Sequence, residues 1–214
     1  MSILYIFDCD GVILDSNAIK SEAFEYAVSK SELPGADWLV QYNRDNGGMS
    51  RQIKFKHYVE KFNLDNSIVD DLLKAFSYYT STRLCTCSVN SFFGSDESLR
   101  IASSSCVVSG GSEEEINDTF KKRNLLRFFE RGIYGNPVSK RSHLQNLIDG
   151  NMISEHSVYY GDSLLDYKIC QALGIKFVFI AGWSEFNGWE EFFSDKDVPT
   201  YCTLNQAFGM HDDS

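Results

Sequence analysis

The chain has 214 residues, 43% of them hydrophobic, which suits one large domain or a core with a smaller second unit and excludes a disordered chain. Its net charge is −10, from 30 acidic and 20 basic residues, so no basic field exists to gather nucleic acid, although a small phosphorylated molecule held by a metal and a few cations remains admissible. No apolar run reaches membrane-spanning length and no signal-peptide pattern opens the chain.

The first predicted element is the apolar run 3–7 (ILYIF), closed by Asp8-Cys9-Asp10-Gly11. An uninterrupted apolar run ended by a turn signal reads as a parallel strand buried on both faces. Two carboxylates at its C-terminal end stand where open α/β sheets bind ligands. Burying them unpaired would be costly, so a cation or a reaction must account for them.

Residues 17–84 read as almost wholly helical, with apolar positions at helical spacing over 18–28, 53–62 and 68–79. The gap between the first strand and the next far exceeds one crossover helix. This predicts a helical unit, residues 16–85, inserted into an α/β core made of residues 1–15 and 86–214.

Strand, turn and helix then repeat. Residues 105–108 (SCVV) run into Ser109-Gly110-Gly111 and a helix over 113–120. A weaker strand at 132–134 precedes a helix over 140–148. Residues 157–160 (SVYY) run into Gly161-Asp162-Ser163 and a helix over 164–173, and 176–180 (KFVFI) end in Ala181-Gly182-Trp183. The repetition predicts a Rossmann-like parallel sheet with crossover helices. The polar tail, 211–214, is expected to fray.

Of the six cysteines, Cys9 and Cys106 fall in core strands as small buried hydrophobes, and Cys85-Thr86-Cys87 lacks a second pair at zinc-site spacing. The expected compartment is the cytoplasm.

Four polar stations follow one another at the strand ends: Asp8 with Asp10, then Ser109, then Lys140 at a helix start, then Asp162 with Asp166. Singly each has a plain structural reading. Ser112 and Glu115 could form a capping box, Ser163 with Asp162 could cap the next helix, and Lys140 could be a solvated lysine. The ordered set fits phosphoryl transfer through an aspartyl intermediate. A carboxylate can attack phosphorus, but only if a divalent cation offsets the charge of a phosphate dianion. Asp8 and Asp162 can supply hard oxygen ligands for Mg²⁺. The Ser109 hydroxyl, Gly110 amide and Lys140 ammonium can hold the equatorial oxygens. Asp10 can protonate a leaving alkoxide and later deprotonate water.

Asp8-Cys9-Asp10-Gly11-Val12, with Leu14-Asp15-Ser16 beyond it, resembles the first motif of the haloacid dehalogenase superfamily. Val108-Ser109-Gly110-Gly111 resembles the second, Lys140 within Asn136-Pro137-Val138-Ser139-Lys140 the third, and Gly161-Asp162-Ser163-Leu164-Leu165-Asp166 the fourth. The order covers the whole chain and resembles the branch with a helical cap after the first strand, which includes phosphoglycolate phosphatases and β-phosphoglucomutases. The resemblance implies that Asp8 is nucleophile and metal ligand, and that Asp10 is general acid and base with its carbonyl on the metal. It further implies that Ser109 and Lys140 hold phosphate and that Asp162 ligates Mg²⁺. Asp166 would be a ligand or an orienting partner that anchors Lys140.

Within that family Asp10 favours phosphate esters, since dehalogenases need no acid for a leaving alkoxide. The expectation is a Mg²⁺-dependent phosphatase acting on a small phosphorylated metabolite. It would be monomeric or homodimeric, without nucleic acid or membrane partners. A phosphosugar mutase is the alternative enzyme, and a non-catalytic regulatory or scaffolding protein the alternative of another class. Residues Asn46, Gly47, Gly48 and Arg51, before and at a helix start capped by Ser50, form the candidate specificity loop. A plain glycine turn fits the same residues.

Overall fold

The computed structural model describes residues 3–210. At its centre is a six-stranded sheet ordered β3-β2-β1-β4-β5-β6, formed by Tyr5–Phe7, Ser105–Ser112, Ile133–Asn136, Val158–Gly161, Lys176–Ile180 and Thr200–Tyr201 as β1 to β6. All pairings are parallel. The helices are α1 (Asn17–Lys30), α2 (Ala36–Asp45), α3 (Arg51–Lys61), α4 (Val69–Arg83) and α5 (Asp96–Arg100). They continue as α6 (Glu113–Lys122), α7 (Lys140–Asp149), α8 (Leu164–Leu173), α9 (Trp189–Phe193) and α10 (Leu204–Ala207).

Alternation along the strands divides the core in two. Phe7, Val107 and Tyr160 face one apolar cluster with Phe92, Phe93, Phe120 and Phe129. Ile6, Cys106, Val108 and Tyr159 face another, closed by α7, α8 and α9. The period of two along each strand is what sends neighbours to opposite faces. Cys9 and Cys106 are buried and unpaired.

β1 lies at the middle of the sheet, with Phe7 level with Val107 on one side and Tyr160 on the other. The chain leaves β1 for β2 on one side and later returns to β4 on the other. The carboxyl ends of β1 and β4 therefore flank the crevice where such sheets bind ligands.

Helices α1 to α4 share a third apolar cluster, distinct from the two on the sheet. At its centre Phe24 meets Phe55 and Phe76 with ring centroids 5.0 and 4.8 Å away. Burial on α1 falls on Ala23, Phe24, Ala27 and Val28, the helical spacing visible in the sequence. α2, over residues rich in polar side chains after Pro34-Gly35, escaped that periodicity, because only Leu39 and Asn43 on it are buried. The short β6 and the one-turn helices also lack a periodic signal.

The weak strand expected at 132–134 is β3. β2 runs on through the glycine pair to Ser112, with a register shift against β3 between Val108 and Ser112. A bulged strand thus replaces the simple turn expected at Ser109-Gly110-Gly111. The tail at 211–214 lies outside the described residues. Among the described residues no helix is long and apolar enough to cross a membrane.

Candidate functional site

Asp8 follows the last residue of β1. Its amide donates to the Tyr160 carbonyl (2.9 Å), which continues the sheet, and its Oδ1 accepts from the Cys9 amide at 2.7 Å. Gly11 then turns the chain at φ +75°, and a Cβ there would lie 2.1 Å from Asp162 Oδ2. Glycine is required twice over, by backbone sign and by the carboxylate beside it.

Asp162 follows β4 and Ser163 caps α8. Ser163 Oγ accepts from the Asp166 amide, and the Asp166 side chain accepts in return from the Ser163 amide, a full capping box. Asp166 Oδ1 also accepts from Lys140 Nζ at 2.6 Å and from the Tyr159 hydroxyl at 3.3 Å, while Oδ2 accepts from Ser163 Oγ at 2.6 Å. Lys140 opens α7 and gives a second hydrogen bond to Asp8 Oδ2, also 2.6 Å. One ammonium thus ties the ends of β1 and β4 together through two buried carboxylates. At the start of α6, by contrast, the capping box is only half formed. Ser112 Oγ accepts from the Glu115 amide, but the Glu115 side chain turns to Arg51 and Thr80.

The first turn of α1 supplies groups that the motifs alone did not reveal. Ser16, at the N-cap position, makes no cap bond and instead donates to Asp10 Oδ1 at 2.6 Å. Lys20 donates to Asp10 Oδ2 at 2.5 Å. Asn17 donates to Asp162 Oδ2 at 2.7 Å and to the Trp183 carbonyl at 2.8 Å. Asn17, Lys20, Ser21 and Phe24 recur at helical spacing directly after the first motif, and that spacing was the available signal.

Electrostatics separate the carboxylates. Burial, together with Asp166 and Asp10, outweighs Lys140 and pushes Asp8 up to about 7. Burial and the neighbouring Asp8 and Asp166 push Asp162 well above the usual carboxylate range. Desolvation also acts on the half-buried Asp10, but Lys20 and Ser16 overcome it and hold the carboxyl below its ordinary value. Lys140, despite burial, is held protonated by Asp166 and Asp8.

Oxygens of Asp8, Asp162 and Asp166 lie within 4.8 Å of one another, a hard donor set of the kind Mg²⁺ takes. The burial and like-charge repulsion that raise Asp8 and Asp162 are what a divalent cation would offset, so these residues fit the ion. Asp166 fits least, because both of its oxygens already serve donors on Lys140, Tyr159 and Ser163.

A cavity of about 180 Å³ opens above this floor, with Asp8, Asp10, Asp162 and Gly110 in its wall. That is below the several hundred Å³ of drug-sized sites. Ser109 and Lys140 lie behind the wall. Ser109 is fully buried, and its Oγ accepts from the Gly111 amide at 3.0 Å.

The helical insert forms the roof. Asn46, Gly47, Gly48 and Arg51 all line the cavity. Gly48 takes φ +80°, and a Cβ on Gly110 would stand 2.2 Å from the Gly48 carbonyl, so backbone meets backbone where insert and sheet touch. Ser50 caps α3. The Arg51 guanidinium pairs with Glu115 at 3.0 Å and stacks over Phe76, which joins insert to core and leaves it less free for an anion.

The profile of the haloacid dehalogenase-like hydrolases matches residues 5–180. No protein of curated function matches the chain in sequence. Solved structures share its fold over nearly their full lengths. A haloacid dehalogenase-like family hydrolase from Streptococcus pneumoniae has TM-score 0.71 at 19% identity, covering 97% of this chain and 98% of its own. A predicted phosphoglycolate phosphatase from Haemophilus somnus has TM-score 0.73 at 15% identity, covering 96% of each chain. A β-phosphoglucomutase from Clostridium difficile has TM-score 0.72 at 14% identity, covering 96% of this chain and 93% of its own. At such identities the likeness is one of fold.

Proposed function

Because the chain belongs to the haloacid dehalogenase-like hydrolases, we propose that it is a Mg²⁺-dependent phosphatase that hydrolyses a small phosphate monoester through a phosphoaspartyl intermediate on Asp8. The observation that supports this reading is the convergence of Asp8, Asp10 and Asp162 on one small cavity, with Lys140 directly behind Asp8.

Asp8 is the nucleophile. Lys140 fixes its Oδ2 and the Cys9 amide its Oδ1, so the carboxylate is oriented before substrate arrives. Asp8 and Asp162 would hold Mg²⁺, which would supply the positive charge that lets a carboxylate approach a phosphate dianion. Gly110 offers its amide to the equatorial oxygens, and Lys140 adds positive charge from behind. Ser109 shapes that bulge by accepting from the Gly111 amide.

Asp10 moves the proton. In the resting site Lys20 and Ser16 keep it ionised, the form that takes a proton from water in the second half-reaction. A phosphate dianion beside it raises its proton affinity, which favours the protonated form needed by the leaving alkoxide. Asn17 orients Asp162, and Asp166 anchors Lys140.

The helical insert acts as the cap, closing through Gly48 over Gly110 and keeping bulk water from the intermediate. A lid seated this closely over so small a cavity suits a cytoplasmic metabolite rather than a phosphoprotein. Arg51, the insert cation that a phosphosugar mutase would turn to a second phosphate, is instead paired with Glu115, which weighs against that reading.

The test is phosphate release from a panel of sugar, polyol, amino-alcohol and hydroxy-acid phosphates with Mg²⁺, with Asp8→Asn as control. Turnover that disappears in Asp8→Asn and on chelation is expected. Equal turnover by Asp8→Asn would overturn the reading.

A further inference from the structure

Asn136 is the last residue of β3, and its side chain crosses to the bulge of β2. Its Nδ2 donates to the Gly110 carbonyl at 2.5 Å. Val108 is level with Tyr134 and Ser112 with Asn136, so β2 uses more residues than β3 over the same span, and the excess is taken up around Ser109-Gly110-Gly111. A pair of glycines is the most mobile backbone a chain can place there. The peptide between them is nevertheless gripped at both ends. Its carbonyl is held by Asn136, and its N–H donates to Ser109 Oγ at 3.0 Å. Carbonyl and N–H point opposite ways in a trans peptide, so two side chains fix the plane of one peptide.

Satisfying a bulged carbonyl does not by itself call for this arrangement. Gly110 is half-buried and lines the cavity, so water could serve its carbonyl as well. A side chain anchored in the sheet differs from water in that it sets direction. Asn136 is anchored. A Cβ on the preceding Gly135 would stand 2.7 Å from both the Gly111 carbonyl and the Glu113 amide, so the end of β3 is wedged against β2. The Gly135 amide donates to Glu113 Oε2 at 3.0 Å, and the Gly135 carbonyl accepts from His143 Nε2 at 2.9 Å. The same segment then opens α7 and delivers Lys140 to Asp8.

We propose that Asn136 is a positioning residue for phosphate recognition: it holds the Gly110–Gly111 peptide so that the Gly110 amide faces the phosphate before substrate arrives. This rests on the phosphatase reading and deepens it. A donor fixed in advance needs no reorganisation when charge reaches it. Without Asn136 the glycine pair can turn, and each binding event must order it again. The metal end of the site is separate. Asp8 accepts from Cys9 and Lys140 and Asp162 from Asn17, and neither accepts from Asn136. Loss of Asn136 should therefore weaken phosphate binding and spare Mg²⁺ binding.

The test uses Asn136→Leu, which keeps the shape, removes the donor and adds no charge, with Asn136→Ala as the second variant. Calorimetric titration with inorganic phosphate in saturating Mg²⁺ is expected to show binding about tenfold weaker than in the wild type, with KM for an ester raised about as much and Mg²⁺ affinity unchanged. Unchanged phosphate affinity overturns the proposal, and so does a parallel loss of phosphate and Mg²⁺ affinity, which a general loosening of the fold would give. Thermal melts check that the variants are folded. If both are unfolded, nuclear magnetic resonance of the isotope-labelled wild type decides. Phosphate should then move the Gly110 amide and the Asn136 side-chain amide together, and an unmoved Asn136 overturns the proposal. If no ester is hydrolysed while phosphate still binds, the phosphatase reading fails by itself, and the calorimetric comparison of wild type with Asn136→Leu decides this one. A wild type that binds no phosphate overturns it.

Discussion

The Asp166 carboxylate receives the Lys140 ammonium at 2.6 Å while its other donors, Tyr159 and Ser163, occupy what remains of both oxygens. It sits one helical turn beyond Asp162, behind the cavity wall, and acts on the site through Lys140. Asp166→Asn is therefore expected to lower kcat by about 10–100-fold, as loss of an orienting partner does, with little change in the Mg²⁺ concentration needed for half-activity. Asp162→Asn should raise that concentration steeply. Mg²⁺ titrations of both variants check this, and an equal rise in both would make Asp166 a ligand.

Lys20 holds Asp10 ionised. In Lys20→Met, burial acts on Asp10 without its main counterweight, so its proton affinity rises. The acid limb of the kcat profile, where hydrolysis of the intermediate needs Asp10 ionised, should then move to higher pH by about a unit or more, with a lower plateau. Profiles over the same buffer series read the shift directly, and an unmoved acid limb would remove Lys20 from the proton path.

Asp8 carries a pH signature in stability. Its folded value of about 7 lies above the ordinary 3.8, so the folded chain holds that proton more tightly than the unfolded one. Stability of the metal-free protein should fall as pH rises through that interval. Asp8→Asn should therefore stabilise the metal-free protein at about pH 8, by on the order of a few kcal/mol, and change it little at about pH 4. Mg²⁺ should raise the Tm of the wild type at the higher pH and leave Asp8→Asn unmoved. Calorimetric melts with and without chelator test both signs.

Gly110→Ala would push a methyl group to 2.2 Å from the Gly48 carbonyl, and backbone cannot rotate away as a side chain would. The insert must lift from the sheet. Activity should fall about tenfold or more, with a stability loss of about 1–3 kcal/mol. Gly94→Ala, where no atom lies within 4 Å of the added carbon, is the matched control. Equal kinetics for the two variants would show that close seating of the insert is not needed.

Much of this was legible in the chain itself. The run 3–7, the strand at 176–180 and the helix over Leu164–Leu173 are local signals of hydrophobic period and turn chemistry, and they fold as those signals direct. Asp8, Asp10 and Asp162 could be placed because parallel strands deliver whatever follows them to one edge of the sheet. The partners of those carboxylates were not legible. Asn17 and Lys20 look like ordinary polar positions of an amphipathic helix until α1 docks its first turn against Asp10 and Asp162. Arg51 looks like a free anion-binding cation until α6 brings Glu115 to it.

What the sequence by itself determined is the frame: a parallel sheet with crossover helices, a long helical stretch after β1, and carboxylates at the ends of β1 and β4. These depend on nearest-neighbour periodicity and on residues that no core would accept unpaired. What only the tertiary structure decided is pairing: which ammonium reaches which carboxylate, and where the insert's backbone touches the sheet. Those outcomes depend on distances of a few ångströms between elements remote in the chain, and on the burial that makes each unpaired charge costly, neither of which has a local trace in the order of residues.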